Sequence, residues 1–167
     1  MLATETPGTP APRIGSYKEV PPTIATAAWA AADAFAPVPG QTILVTGINL
    51  PVVCIAAQLI RLCGARVLAV VSAGEACIPK ALGIEAVGGG QGVAGRVRAI
   101  APSGISGCLD GETVITPELA RDLGIVAECI HSVTTAPAAG GDQAVADHLR
   151  KLTEYAGLTL PAYSAQG

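Results

Sequence analysis

Asp110 and His131 are the two residues whose side chains and positions best suit proton transfer. Asp110 ends the apolar run GISGCLD (104–110), and open α/β sheets bind ligands at the carboxyl ends of their strands. A carboxylate there is a candidate catalytic group, although Asp-Gly is also ordinary turn chemistry. His131 stands among apolar neighbours and histidine is the side chain used most often for proton transfer, although a lone strand histidine is commonly a hydrogen-bonded core residue. The sequence leaves both alternatives open.

The turn that follows the β-branched run TILVT (42–46) is the candidate site for a phosphate. It reads GINLPVV (47–53), at the point where a strand should pass into a helix. Gly47 permits a left-handed turn, and Asn49 offers a side-chain amide that can donate hydrogen bonds. We therefore predict that both residues contact a cofactor if one binds.

Ser72 follows a second buried run, ARVLAVV (65–71), where the ribose of a dinucleotide would lie. No Asp or Glu stands at this strand end to accept from a ribose 2′-hydroxyl, which disfavours NAD, and Ser72 is the candidate cofactor contact there. The chain also lacks a phosphate loop rich in glycine, so our first expectation is that it uses no cofactor, with NADP as the alternative. The expected substrate is an apolar small molecule, and its predicted contacts are Leu50, Pro51 and Trp29.

Composition excludes several other functions. The five cysteines show no Cys-x-x-Cys or Cys/His spacing, so no metal site is predicted. The net charge is −3 and the ten Lys and Arg are scattered, which argues against a nucleic-acid partner. The uncharged run 41–60 contains Gly, Asn, Pro and Gln, which favours a buried strand–turn–helix over a membrane span. The odd number of cysteines and the lack of a secretory signal indicate the cytoplasm.

The elements that must position these residues alternate between strand and helix. Buried strands are predicted at 42–46, 65–72, 83–87 and 104–109, and the segments between them have helical patterns. Such alternation predicts an α/β fold, a Rossmann-like doubly wound and mostly parallel sheet with helices on both faces. Beyond it, Asp110-Gly111 between two apolar runs predicts a tight reversal and an antiparallel hairpin near 105–116.

The two ends of the chain differ from its middle. Residues 1–19 are rich in Pro, Thr and Gly without an apolar period and are expected to form a flexible arm, leaving 20–167 as one domain. Helices are predicted at 23–35 and 142–158, a strand at 125–135 and a last extended piece at 159–163.

Several of these stretches together resemble the nucleotide-binding half of the medium-chain dehydrogenase/reductases, in their zinc-independent, quinone-oxidoreductase-like branch. The similar segments are TAAWAAADAFAPVPGQTILVTG, AAQLIRLCGARVLAVVSAGEA and ALGIEAV, followed by GETVITPELARDLGIVAECIHSV. The resemblance covers about residues 20–162. It implies a Rossmann fold and a cofactor near Thr26, which matches the Thr of the family's Thr-Ala helix entry.

Departures from the family pattern guide the functional expectations. The GroES-like catalytic domain that precedes this half in the family is expected to be absent, so the domain is a truncated one. Only Gly47 remains of the family's glycine-rich loop, and Glu75 stands where NADP-using relatives often have Lys. A helix that relatives have between the strand ending near Asp110 and the run ETVIT is also missing.

Three functions remain open. The first is a repurposed domain that binds an apolar organic molecule and assists a non-redox step such as cyclisation or isomerisation, in specialised metabolism, by holding reactive groups close together. The second is an NADPH-dependent quinone or enoyl reductase whose site is completed by a partner or a dimer. The third is a non-catalytic interaction module. An apolar edge strand near Ile125–Thr135 predicts a homodimer in each case.

Overall fold

The computed structural model describes residues 21–133, 141–155 and 157. The expected arm at 1–19 and the extended piece at 159–163 lie outside these residues, as does the end of the predicted strand 125–135. Within the described residues, five strands and six α-helices alternate along the chain. In order they are α1 (Pro22–Asp33), β1 (Thr42–Thr46), α2 (Pro51–Leu62), β2 (Arg66–Val71), α3 (Cys77–Ala81), β3 (Glu85–Gly88), α4 (Val93–Ile100), β4 (Gly107–Asp110), α5 (Pro117–Leu123), β5 (Ile130–Ser132) and α6 (Gln143–Tyr155).

The described strands form one sheet in the order β3-β2-β1-β4-β5, and every pair is parallel. The chain first winds from β1 outward through β2 to β3, then crosses back to β4 on the other side of β1. The Rossmann-like doubly wound fold expected from the sequence is thereby confirmed. The reversal of winding creates a switch point between β1 and β4, where Thr46 pairs with Asp110.

Alternating side chains of the strands supply two cores, one on each face of the sheet. Ile43, Val45 and Leu109 face α1, α2 and α6, where small alanines allow close packing of the helices. Leu44 and Cys108 face the opposite layer, formed by α4 and α5. The apolar residues in the middle of β1 and β4 follow from this burial on both faces.

Local sequence explains where the helix of the switch point begins and ends. Pro51 occupies the first turn of α2, where a missing N–H costs nothing and the ring favours helical φ. Gly64 follows the helix with φ of +93°, and a Cβ there would lie 2.8 Å from Cγ of Pro39. The chain therefore needs glycine at this position to turn into β2.

The antiparallel hairpin expected near 105–116 is wrong. After β4 the residues 111–116 form a loop instead of a returning strand, and α5 follows. The reason lies in Asp110, whose carboxylate accepts hydrogen bonds from the amides of Glu112, Val114 and Ile115 that a hairpin ladder would have used. The described strand β5 is also shorter than expected, because a 3-10 turn at Ala127–Cys129 precedes it.

None of the described helices has the length and apolar character needed to cross a membrane.

Candidate functional site

The switch point is built around a pair of side chains at the ends of β1 and β4. Thr46 is fully buried, and its Oγ1 donates a 2.6 Å hydrogen bond to Oδ1 of Asp110, which is 3% exposed. The same hydroxyl oxygen accepts from the amide of Gly111 at 3.0 Å. The two strands are thus joined by side chains as well as by their ladder.

Asp110 organises the loop that follows it. Its Oδ1 accepts from the amides of Glu112 and Val114 at 3.3 and 3.2 Å, and its Oδ2 accepts from the amide of Ile115 at 3.0 Å. Thr113 sits inside this loop with φ of +53°, a conformation that is costly for a β-branched residue. The carboxylate compensates that cost with several charge-assisted bonds, so its contacts are those of a positioning residue.

The loop after β4 lies directly against the Gly47 turn. A Cβ on Gly47 would be 3.1 Å from Cγ of Glu112 and 3.1 Å from Cδ1 of Leu50. A Cβ on Gly111 would be 2.7 Å from Cγ2 of Val53 and 2.8 Å from the carbonyl oxygen of Thr46. Both glycines are therefore required by close packing, and the two segments form one tight layer at the sheet edge.

The charge at this edge is negative. The pKa of Glu112 is raised above its ordinary value, first by desolvation and then by the charges of Glu75 and Asp110. Glu112 is therefore more easily neutralised than an ordinary glutamate. Among the described residues, no group of His, Cys, Asp and Glu has an arrangement that could hold a metal ion.

The phosphate turn fits a dinucleotide in part. Gly47 has φ of +77°, and the twelve-residue helix α2 starts at the switch point with its positive end toward the sheet edge. Asn49 is exposed at this turn, so its amide is free to face a ligand. Against these features, Leu50 and Glu112 fill the space over Gly47, and Pro51 provides no donor.

The predicted ribose site lies one strand away, at the end of β2. Ser72 is exposed and precedes a 3-10 turn at Ala73–Glu75. The glycine-rich loop after β3 stands next to it, because the amide of Gly89 donates to the carbonyl of Val71 at 2.9 Å. Arg96 ties that loop down by donating to the carbonyls of Gly88, Gly89 and Gln91. The guanidinium stiffens the wall of the site.

Asp110 and His131 are not brought together. His131 pairs with Leu109 in register, so its side chain lies on the sheet face opposite to that of Asp110. Its ring packs edge-to-face on Phe35, with centroids 4.6 Å apart. Their catalytic roles stay predictions, and the contacts seen here give each residue a structural task.

Thr26 and Trp29 have partners on α6 and none among the switch-point residues named above. The Thr26 hydroxyl accepts from the amide of Asp142 at 2.8 Å and so anchors the start of α6 to α1. Trp29 packs edge-to-face on His148 with centroids 5.1 Å apart. The predicted cofactor contact of Thr26 and substrate contact of Trp29 are thus separated from Gly47, Asn49 and Ser72.

Sequence reasoning missed Glu112, although it contributes a charge to the centre of the site. The residue follows Asp110-Gly111, and the hairpin expected there would have placed it at the start of a returning strand. Its position could have indicated a role, because Glu112 follows Asp110 by two residues and so lies close to the carboxyl end of a strand, where open α/β sheets bind ligands.

Comparison with known proteins shows the fold. No protein-family model and no curated protein sequence matches the chain. Among solved structures, a quinone oxidoreductase from Pseudomonas syringae pv. Tomato matches with a TM-score of 0.61 and 21% identity, over 81% of this chain and 52% of that one. An NAD-dependent alcohol dehydrogenase matches with a TM-score of 0.61 and 21% identity, over 90% of this chain and 52% of that one. CurA from Vibrio vulnificus, in complex with NADPH, gives 0.52 and 18%, over 78% and 42%.

These matches confirm, at the level of the fold, the resemblance to the nucleotide-binding half of medium-chain dehydrogenase/reductases. The chain spans about half the length of the structures it matches. The expectation that no cofactor is used is wrong for this fold, since its neighbours include an enzyme described as NAD-dependent and one in complex with NADPH. We therefore withdraw it.

Proposed function

We propose that this chain is the nucleotide-binding part of a reductase-like oxidoreductase that uses NADP(H), with the cofactor at the switch point. One observation carries the proposal: the strand order reverses between β1 and β4, and the N-terminus of α2 meets that point after the Gly47 turn. Open α/β sheets bind ligands at such a point, and helix N-termini attract phosphate. The solved structures that share the fold are dehydrogenases and reductases, which agrees with this assignment.

Asn49 would contact the pyrophosphate of the cofactor, and Ser72 would contact its 2′-phosphate. The exposed side-chain amide of Asn49 offers donors that replace the glycine amides absent from this turn. The exposed Ser72 hydroxyl stands at the end of β2, where an acidic residue would instead favour NAD. When bound, the cofactor would supply or accept a hydride.

Glu112 lies where the cofactor would approach the Gly47 turn and would have to change its position or its charge. Its side chain lies against Gly47, so it has to leave the turn or lose its charge before a pyrophosphate can approach. Its pKa is already raised by desolvation and by the charges of Glu75 and Asp110. A second anion nearby would raise that pKa further, so we expect the protein to take up protons when the cofactor binds.

The substrate in this proposal is an apolar small molecule. Pro51 is partly buried at the cofactor edge and lacks an N–H, which suits an apolar contact. Leu50 lies close to Gly47 and Gly111 and supports the turn, and its contact with the substrate stays a prediction. The proposal includes a second copy or a partner chain that completes the substrate cleft.

Calorimetric titration with NADPH, NADP⁺ and NADH tests the proposal. We expect NADPH to bind about tenfold or more tightly than NADH, because only NADPH carries the phosphate that Ser72 would meet. The Ser72→Asp variant should reverse this preference, since a carboxylate repels the phosphate and accepts from the ribose hydroxyl. Ser103→Ala, at an exposed serine after α4, serves as the control and should change nothing. No detectable binding of NADPH, NADP⁺ or NADH at millimolar concentration would refute the proposal.

The non-redox cyclisation or isomerisation expected from the sequence stays a prediction, and no contact among the described residues favours it. Conversion of an apolar substrate at a rate that NADPH does not change would support it. The interaction-module role and the cytoplasmic location also stay predictions.

A further inference from the structure

A cavity of about 250 Å³ lies between α1, the end of α2 and α6, and it shares no lining residue with the switch point. Its walls are mainly apolar and come from three helices that pack on the same face of the sheet. The residues that matter below are Trp29, Asp33, Leu59, Leu62, His148 and Leu152.

Trp29 stands in the wall with its ring open to this space. The side chain is 37% exposed, and the imidazole of His148 meets it edge-to-face at a centroid distance of 5.1 Å. A second, shallower hollow of about 310 Å³ lies next to Trp29 and is also lined by Val145 and His148. Leu62 beside the first cavity is 43% exposed. A large aromatic ring and a leucine are thus available to an apolar ligand.

The charge at the cavity is negative and has no partner. Asp33 is the last residue of α1, and its carboxylate has no hydrogen bond or ion pair among the described residues. The helix end itself carries the negative pole of the dipole, and the last turn of α1 contains no basic residue. Among the described residues, no Lys or Arg lines the cavity. An uncompensated carboxylate beside an aromatic face is the combination that attracts an organic cation.

We propose that this cavity binds a small amphipathic amine, with its apolar group between Leu59, Leu62 and Leu152 and its ammonium group near Asp33 and Trp29. The ammonium would form an exposed ion pair with Asp33 and gain a cation–π contact with the indole. The volume suits a ligand with one ring and a short chain, below the size of drug-like ligands. The proposal is independent of cofactor binding, because the two sites share no residue.

Fluorescence of Trp29, the single tryptophan of the chain, reports directly on the cavity. The full chain is titrated with phenethylamine, with the neutral phenethyl alcohol and with the anion hydrocinnamate. We expect a saturable change with the amine, at an affinity about three- to tenfold higher than that of the alcohol, because exposed ion pairs and cation–π contacts are modest. Hydrocinnamate should bind most weakly.

In the Asp33→Asn variant, the amine and the alcohol should bind with about equal affinity, and the affinity for the alcohol should stay as in the wild type. Asp122→Asn, at an exposed carboxylate on α5 in the opposite helical layer, is the matched control and should keep the full preference. Equal affinities for the three compounds, or an unchanged preference in Asp33→Asn, would overturn the proposal. A signal that depends only on protein concentration would also overturn it and assign the cavity to a second copy of the chain.

Cys63 offers a second readout that needs no variant. Its exposed thiol lines the cavity, whereas the exposed thiol of Cys77 lies on α3 outside it. Phenethylamine should slow the alkylation of Cys63 by iodoacetamide and leave the alkylation of Cys77 unchanged. Equal rates at Cys63 with and without the amine would contradict the proposal.

Discussion

Thr46 Oγ1 donates a 2.6 Å hydrogen bond to Asp110 Oδ1 and so joins two strands that are 64 residues apart in the sequence. The bond is buried at the point where the winding of the sheet reverses. From Asp110 the order extends into the next loop through the amides of Glu112, Val114 and Ile115. The carboxylate of Asp110 therefore links the two strands and the loop at the switch point, and removing it should lower the free energy of unfolding.

Asp110→Asn and Thr46→Val should each destabilise the protein by about 1–3 kcal/mol, the range for losing a buried hydrogen bond to a charged group. The two effects should not add fully, because Thr46→Val removes the donor of this bond and Asp110→Asn removes the charge of its acceptor. Urea denaturation of the wild type, the single variants and the double variant measures this coupling. Additive losses would show that the two residues act independently.

Gly111→Ala should destabilise by about 1–3 kcal/mol, because its Cβ would collide with Val53 and the backbone of Thr46. Gly74→Ala is the control, since a Cβ there meets nothing within 4 Å and the residue has no positive φ. It should change stability by less than about 0.5 kcal/mol. Gly95→Ala, inside α4 and equally free of neighbours, should stabilise by about 0.5–1 kcal/mol. Thermal or urea unfolding ranks the three variants, and any other order would contradict the packing described here.

Cys54 and Cys108 should resist alkylation in the folded protein. Burial raises the pKa of each thiol to about 12, so almost no thiolate exists at neutral or mildly alkaline pH. Cys63 and Cys77 are exposed and should react first. Mass spectrometry of peptides after timed labelling separates the four sites, and labelling in urea should bring all of them to similar rates. Rapid reaction of Cys54 in the folded state would contradict its burial.

The homodimer through the β5 edge stays a prediction. β5 pairs only with β4 among the described strands, so its other edge is open to a second copy. Light scattering at micromolar concentration should give twice the chain mass, and Ser132→Lys, at an exposed position of this strand, should lower it. A monomer mass for the wild type would remove the prediction.

The sequence predicted the sheet well because its strands and helices are encoded locally. TILVT reads as a buried strand, and Pro51 and Gly64 bracket the helix within two residues of its observed end. The hairpin prediction was wrong for a non-local reason. The carboxylate of Asp110 accepts hydrogen bonds from the hydroxyl of Thr46 on the neighbouring strand and from amides of its own loop, and no short-range rule detects these contacts. The contact of Thr26 with the start of α6 is also non-local, because Asp142 lies 116 residues further along the chain. The cofactor contact of Thr26 stays a prediction.

The pH dependence of NADPH binding to the wild type and to Glu112→Gln tests the central claim most directly. Glu112 has a raised pKa, so its neutral form persists above the ordinary titration range and its charged form dominates at higher pH. The wild type should bind NADPH more weakly as the pH rises through this pKa, because the carboxylate then repels the phosphates. Glu112→Gln should bind NADPH more tightly than the wild type at neutral pH. Because the titration of the cofactor's own phosphates affects both proteins equally, the difference between the two pH profiles reports on Glu112 alone. Parallel profiles, or no binding by either protein, would contradict a cofactor site at the switch point.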